Sequence, residues 1–130
     1  MSFLLTLCLM VPGVCDTTGL DHLDAISKHE ATGPVERWRP LVESQFPAAE
    51  VDTAMCIIRH ESNGDSDADN PRSSARGLFQ DLGSLWAPHF GISRTDLYDP
   101  AVNTRIAARI WEKQGWQAWS PYQRGLCRSG

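Results

Sequence analysis

The stretch CIIRHESNGDSDADNPRSSARGLFQ, residues 56–80, joins an apolar run to a single acid and then to a polar loop. The apolar run belongs to a predicted helix over residues 48–61. Its core-facing stripe has the i, i+3, i+4, i+7 spacing of an amphipathic helix: Val51, Ala54, Met55 and Ile58. Because Glu61 continues this stripe, its carboxyl group is expected on or beside the buried face. Burial disfavours the charged form of a carboxyl group and raises its pKa.

The residues after Glu61 are polar and rich in turn formers. Asn63-Gly64 and Asn70-Pro71 predict a loop or a short hairpin over residues 63–77. A glutamate at a helix end is most often a solvated side chain. An acid with apolar neighbours beside a polar lobe is instead suited to protonating a glycosidic oxygen.

The remaining segments predict a mainly helical domain. Helices are expected over residues 35–46, 83–90 and 98–114, and Gly115 ends the last of them. A single polar lobe follows the helix that carries Glu61. This arrangement of helices and one inserted lobe predicts a cleft.

Size and charge narrow the class of protein. The chain has 130 residues and a formal net charge of −4. A nucleic-acid partner is not expected, because nucleic-acid binding needs a basic surplus. Five tryptophans would let an acidic chain bind a polymer through stacking and hydrogen bonds.

The N-terminus resembles an export signal. Residues 1–15, MSFLLTLCLMVPGVC, hold no charged side chain, and their apolar core is too short to span a bilayer. We therefore expect a signal-peptide-like segment over 1–15, a helical extension over 16–33, a main domain over 34–130 and no stable membrane span. The alternative is a hydrophobic first helix of a cytosolic protein.

Cysteine usage agrees with export. Removal of Cys8 and Cys15 with the signal would leave Cys56 and Cys127. A disulfide between these two would hold the C-terminal tail on the core. The alternative is two unrelated buried thiols.

No metal and no other cofactor are expected. The sequence has no C-x-x-C, and its histidines lack the spacing of a paired metal site. Asp65, Asp67 and Asp69 alternate as in a calcium loop, but Asn70 and Arg76 stand where an EF-hand needs Gly and Glu. A looser calcium site is the alternative to a solvated turn.

Three ordered blocks carry a resemblance to a known family. ESN (61–63) with SARGLFQ (74–80), LYDPAVN (97–103) and GWQAWSPYQRG (115–125) are each similar to a segment of the lytic transglycosylase and goose-type lysozyme superfamily. The short phage and actinobacterial members are the most similar. The resemblance implies a lysozyme-like fold: mainly α, with a small polar loop or β-hairpin lobe that forms a cleft.

The resemblance also implies roles for individual residues. Glu61 would be the general acid that later acts as the base, and Ser62 would help to orient it. Gly77 would let the chain pass close to the sugar, with a tight turn as the alternative. Gln80 would support the cleft floor or bind an N-acetyl group. Tyr122 would contact the catalytic carboxylate, although Gln-Arg replaces the family's Asn-Ala after it.

Four further residues are predicted either to pack in the fold or to contact the substrate. Asn103 is expected to brace the fold, and Trp111 is expected to pack in the core. Trp86 or Trp116 is expected to reach the cleft, where its indole would stack on a sugar ring.

A hydrolase of this kind needs a second catalytic acid, and the usual positions for it do not match in this sequence. Ala75 stands where animal-type lysozymes carry an aspartate, and Asp81 follows Gln80 by one residue where goose-type enzymes place an aspartate two residues on. Asp81 is therefore a candidate second acid, with the loop acids as further options. A one-acid site favours lytic transglycosylation, in which the substrate's own 6-hydroxyl completes the reaction.

The expected function is thus cleavage of the MurNAc–GlcNAc β-1,4 bond of peptidoglycan glycan strands by a monomeric lytic transglycosylase. We expect it to be secreted or associated with the cell wall, with a phage origin as one option. The alternatives are an inverting muramidase, a non-catalytic glycan-binding wall protein of the same fold, and a disulfide-stapled helical interaction module.

Overall fold

The computed structural model describes residues 33–128. The predicted segments 1–15 and 16–33 lie outside the described residues, apart from Gly33. Within the described range no helix is long and apolar enough to cross a membrane. The helices are α1 (Gly33–Glu36), α2 (Arg39–Gln45), α3 (Val51–Glu61), α4 (Gly83–Phe90), α5 (Pro100–Gln114) and α6 (Ser120–Gln123). The strands are β1 (Ala75–Arg76) and β2 (Asp81–Leu82).

The prediction of one continuous helix over residues 35–46 is wrong. The structure divides it into α1 and α2. Pro40 lies in the first turn of α2, and a proline has no N–H to bond back to the preceding turn. The chain therefore starts a new helix at this point.

The helix that carries Glu61 follows the prediction closely. A short 3₁₀ turn over Ala48–Glu50 leads into α3, which ends at Glu61. All four residues of the predicted stripe are buried: Val51, Ala54, Met55 and Ile58. The period-3.6 pattern therefore predicted both the helix and its inward face.

The hairpin lies later in the chain than its turn signals suggested. Ala75 pairs with Leu82 and Arg76 with Asp81 in an antiparallel register. The segment from residue 63 contributes one isolated bridge, between Asp69 and Arg76. The lobe is thus a polar loop that ends in a two-stranded hairpin.

The last long helix begins at a proline and an aspartate cap. Pro100 occupies its first turn, and the Asp99 side chain accepts hydrogen bonds from the N–H groups of Ala101 and Val102. Its inward face includes Ile106, Ala107 and Ile110 as predicted. Gly115, with φ +69°, ends the helix in a conformation that glycine favours.

Aromatic side chains fill the core between α2, α3 and α5. The Phe46 ring lies 5.4 Å from Trp116, 5.8 Å from Phe79 and 5.9 Å from Trp111, centroid to centroid. The Trp116 indole N–H also donates to Glu50 Oε1 at 2.8 Å. Trp116, one of two candidates for the cleft, is therefore a core residue, and Trp111 packs in the core as expected.

Cys56 and Cys127 form a disulfide across a sequence separation of 71. It joins α3 to the C-terminal tail, as the cysteine count predicted. A closed loop of this length stabilises the folded state by about 3 to 5 kcal/mol in the chain-entropy account.

The Asn103 side chain fastens the hairpin turn to α5. Its Oδ1 accepts the Phe79 N–H at 2.9 Å, and its Nδ2 donates to Arg76 O at 2.8 Å and Leu97 O at 2.9 Å. Asn103 is fully buried, so each of these bonds replaces solvation that the interior cannot supply. Asn103 therefore braces the fold, as predicted.

Gly77 is required at this turn for two separate reasons. Its φ is +77°, and a Cβ there would collide with Leu97 O and the Asn103 amide. Gly91 has a similar φ of +68°, with no atom within 4 Å of its Cβ position. The two glycines thus share the backbone constraint but not the contact.

We predict that Gly77→Ala lowers the free energy of unfolding by roughly 3 kcal/mol or more, from strain plus the displaced Asn103 amide. The matched variant Gly91→Ala should lose only about 1 to 2 kcal/mol, from its backbone conformation. Urea denaturation of both variants measures the difference. Equal losses would contradict the proposed contact.

Candidate active site

The described part of the chain contains a cavity of about 310 Å³ that Glu61 helps to line. Glu61 is the last residue of α3, and its side chain is half-buried. The cavity wall comes from α3, the hairpin lobe, α4, α5, the segment before α6 and the first residue of α6. Its residues are Glu61, Asn70, Ser73, Ala75, Gln80, Asp81, Leu82, Leu85, Trp86, Ile110, Gln114, Ala118, Trp119 and Ser120.

Ser62 ties the end of α3 to the hairpin turn. Its hydroxyl donates to Leu78 O at 2.8 Å and accepts the Gly64 N–H at 3.2 Å. Ser62 is not among the residues that line the cavity. Its bonds instead hold the backbone next to Glu61 against the turn, which suits the predicted orienting role.

Gln80 lines the cavity in an unusual backbone conformation. Its φ is +54°, in the left-handed region that non-glycine residues rarely adopt and that often marks a functional site. Its Nε2 donates to Gly77 O at 3.0 Å and Ala68 O at 3.2 Å. These two bonds hold the loop and the turn together at the floor of the cavity.

Two tryptophans stand in the cavity wall. Trp86 of α4 lines it, as one of the two predicted candidates. Trp119 lines it as well, and its indole N–H donates to Phe79 O at 2.9 Å. The sequence prediction did not choose Trp119, because nothing in its spacing separates a cleft tryptophan from a core one.

Two predicted substrate residues lie away from the cavity wall. Gly77 is buried against Leu97 and Asn103, which supports the tight-turn alternative for this glycine. The Tyr122 ring lies under the Arg128 guanidinium, 5.4 Å from ring centroid to Cζ. The cavity lining includes neither residue, and their substrate contacts stay predictions.

Burial raises the pKa of Glu61 above the usual value of a glutamate, and the nearby Arg124 cation partly offsets this by lowering it. Both effects have a clear physical origin. Partial removal from water penalises the carboxylate, whereas a positive charge favours it. Because the burial effect is the larger, Glu61 stays protonated to a higher pH than an exposed glutamate.

Asp81 lies beneath the same cavity and is nearly inaccessible. Its exposed fraction is 2%, and neither carboxyl oxygen has a hydrogen-bond partner among the described residues. Burial raises the pKa of Asp81 well above its usual value, and the charge of Glu61 raises it further. Both effects favour the neutral form of Asp81, the other acid in this wall.

Several potential metal ligands among the described residues are engaged in other bonds. Cys56, His60 and Cys127 place ligand atoms within 4.8 Å of one another, but the two sulfurs are bonded to each other. In the acidic loop, Asp69 pairs with Arg76 at 2.9 Å, and Asp65 Oδ1 accepts the Asp67 N–H at 2.9 Å. The second contact is the solvated-turn arrangement of short acids.

Comparison with known proteins identifies the family. The transglycosylase SLT domain family matches residues 42–118, and the chain belongs to this family. A lysozyme C-like protein of Dictyostelium discoideum is 30% identical over 102 residues, which are 73% of this chain and 49% of that protein. The chain thus spans about half the length of this relative. No solved structure matches the chain. The predicted mainly α, lysozyme-like fold with a small hairpin lobe is confirmed.

We predict that Asp81→Asn stabilises the protein at neutral pH. The folded state keeps the Asp81 proton while the unfolded state releases it, so the free energy of unfolding falls as pH rises above the unfolded pKa, about 3.9. Removing this titration should stabilise by roughly 1 to 3 kcal/mol at pH 7 and by little at pH 4.

Urea denaturation across this pH range measures the effect, with the exposed Asp67→Asn as the matched control. The free energy of unfolding of Asp81→Asn should exceed that of the wild type by an amount that grows with pH. A difference that stays constant would contradict the buried, neutral state of Asp81.

Proposed function

We propose that this protein is a lytic transglycosylase that cleaves the MurNAc–GlcNAc β-1,4 bond of peptidoglycan, with Glu61 as the general acid and base. The observation that carries this proposal is the half-buried Glu61 carboxyl group at the end of α3, facing a cavity in a chain of the SLT family. A carboxyl group with a raised pKa holds the proton that a leaving glycosidic oxygen needs.

The reaction would proceed in two proton transfers through one residue. Glu61 donates its proton to the bridging oxygen as the bond from that oxygen to C1 breaks. The substrate's acetamido group supports the positive charge at C1. The 6-hydroxyl of the muramyl sugar then bonds to C1 and gives its proton to the Glu61 carboxylate. The 1,6-anhydro product forms without water, and Glu61 returns to its protonated state.

The other predicted residues would position the substrate. Gln80 and Trp86 line the cavity and suit hydrogen bonding to an N-acetyl group and stacking on a sugar ring. Ser62 would orient Glu61 through its bond to the turn. Gly77 would act by shaping that turn, and Tyr122 would approach from the α6 side.

A second candidate is an inverting muramidase, and the position of Asp81 favours it. Inversion needs a second carboxylate that activates water from the opposite face of the sugar. Asp81 lies in the same wall as Glu61. Its burial holds it neutral, and a neutral carboxylic acid is a poor base. This state is the reason that we prefer transglycosylation.

The domain boundaries and location are part of the same proposal. We propose residues 34–130 as the catalytic domain, preceded by a signal-peptide-like segment and a helical extension. The Cys56–Cys127 disulfide is typical of oxidising compartments outside the cytosol. A monomeric protein that is secreted or associated with the cell wall fits both this bond and a polymeric substrate.

We predict that Glu61→Gln abolishes product release. Wild-type protein incubated with purified peptidoglycan should release 1,6-anhydro muropeptides, and Glu61→Gln should lower the rate by at least about 10²-fold, because glutamine has no proton to donate. Mass spectrometry of the soluble fragments measures both. The exposed Glu43→Gln on α2 is the matched control and should keep full activity.

The products also separate the alternatives. Reducing-end muropeptides from the wild type would instead identify a hydrolase and return attention to Asp81. No fragments from any folded variant would overturn the catalytic proposal and favour a glycan-binding protein.

A further inference from the structure

Arg124 lies one helical turn after Ser120, a residue of the cavity wall. It directly follows α6, and its backbone N–H donates to Ser120 O at 2.9 Å. Residues four apart on a helical turn share one face, and Ser120 lines the cavity. The exposed Arg124 side chain therefore lies on the cavity side of α6.

The Arg124 guanidinium forms no ion pair and no hydrogen bond with residues 33–128. Arg59, Arg72, Arg94 and Arg105 are equally free, whereas the other five arginines of this range are engaged. Three others pair with acids: Arg39, Arg76 and Arg109. Two more lie over aromatic rings: Arg37 over Trp38 and Arg128 over Tyr122. Arg124 thus has its charge and its planar donor groups available to a ligand.

The surrounding charge makes this cation important for an acidic substrate. The chain carries a net charge of −4 and is therefore acidic overall, although the two acids of the cavity wall, Glu61 and Asp81, both have raised pKa values. An anionic glycan would be repelled by such a surface unless a local cation offsets it. The Arg124 cation is also close enough to Glu61 to lower the pKa of that carboxyl group.

We propose that Arg124 binds a carboxylate of the glycan substrate and makes the site selective for acidic over neutral glycan strands. This inference rests on the proposed function and extends it. The carboxylate belongs to the muramyl residue, either on its lactyl group or on the attached peptide. A guanidinium binds a carboxylate through two parallel N–H donors, which gives direction as well as charge.

The test compares one polymer in two charge states. Glycan strands stripped of peptide carry lactyl carboxylates, and conversion of these groups to N-methylamides makes the strands neutral. Wild-type protein should cleave the acidic strands with kcat/KM roughly five- to tenfold higher than the neutral ones, as an exposed charged pair allows. Arg124→Gln should bring this ratio close to one, chiefly by lowering kcat/KM on the acidic strands.

Arg105→Gln is the matched control. Arg105 is an exposed arginine of α5, nine positions before the cavity residue Gln114 and so about half a turn around the helix axis from it. The variant removes the same charge from the chain on another face. It should keep the wild-type ratio.

The outcomes are distinct. The inference would be overturned if Arg124→Gln kept the wild-type ratio of kcat/KM on acidic and neutral strands. It would also be overturned if the wild type preferred neither acidic strands nor intact peptidoglycan over neutral strands. A preference that needs the peptide and vanishes in Arg124→Gln would support it and assign the carboxylate to the peptide. No product from wild-type protein on any strand would instead be a failure of the proposed function.

A pH profile gives a second readout that a purely structural role would not move. The Arg124 cation lowers the pKa of Glu61, so its removal should raise that pKa and extend the acid form to higher pH. On neutral strands the alkaline limb of kcat/KM should therefore move to higher pH in Arg124→Gln. An unmoved limb would contradict the placement of this charge beside Glu61.

Discussion

The three hydrogen bonds of the buried Asn103 amide hold the site in place. Two of them, with the Phe79 N–H and Arg76 O, fasten the β1–β2 hairpin to the first turn of α5, and the third reaches Leu97 O. Gly77 has to be a glycine because this amide occupies the space of a side chain. The next residues along the turn are Phe79, which enters the aromatic core, then Gln80 and Asp81, which line the cavity. One amide thus links the core to the cavity floor.

The acid depends on the same turn from the other side. Ser62 bonds to Leu78 O, so the end of α3 and the hairpin turn are held together where Glu61 projects. The half-buried carboxyl group then has a raised pKa that Arg124 partly lowers. Asp81 is fully buried and neutral beside it. Position, burial and one nearby cation together set the chemistry of the site. The other carboxyl group among the described lining residues, that of Asp81, has a raised pKa and does not supply a second ionised acid.

Long amphipathic segments were predictable from the sequence, and short or ambiguous ones were not. The apolar period gave the inward face of α3 and placed Glu61 beside it, and Asp99-Pro100 with Gly115 marked the ends of α5. The break before Pro40 was visible in the sequence but outweighed by an apolar stripe that continued across it. Strands of two residues have no period to read, so the hairpin position depended on tertiary contacts. Trp116 was a candidate for the cleft and lies in the core, and Trp119 had no assigned role and lines the cavity. Only packing separates a cleft tryptophan from a core one.

The central claim is that Glu61 is a half-buried acid with a raised pKa. Carboxyl ¹³C NMR measures this pKa directly. The Glu61 signal can be assigned by its loss in Glu61→Gln and followed across pH in the folded protein. A pKa above the ordinary glutamate value, about 4.3, is the predicted result. A pKa at or below that value would mean that the carboxyl group is solvated or ion-paired, and it would contradict the role of Glu61 as the proton donor.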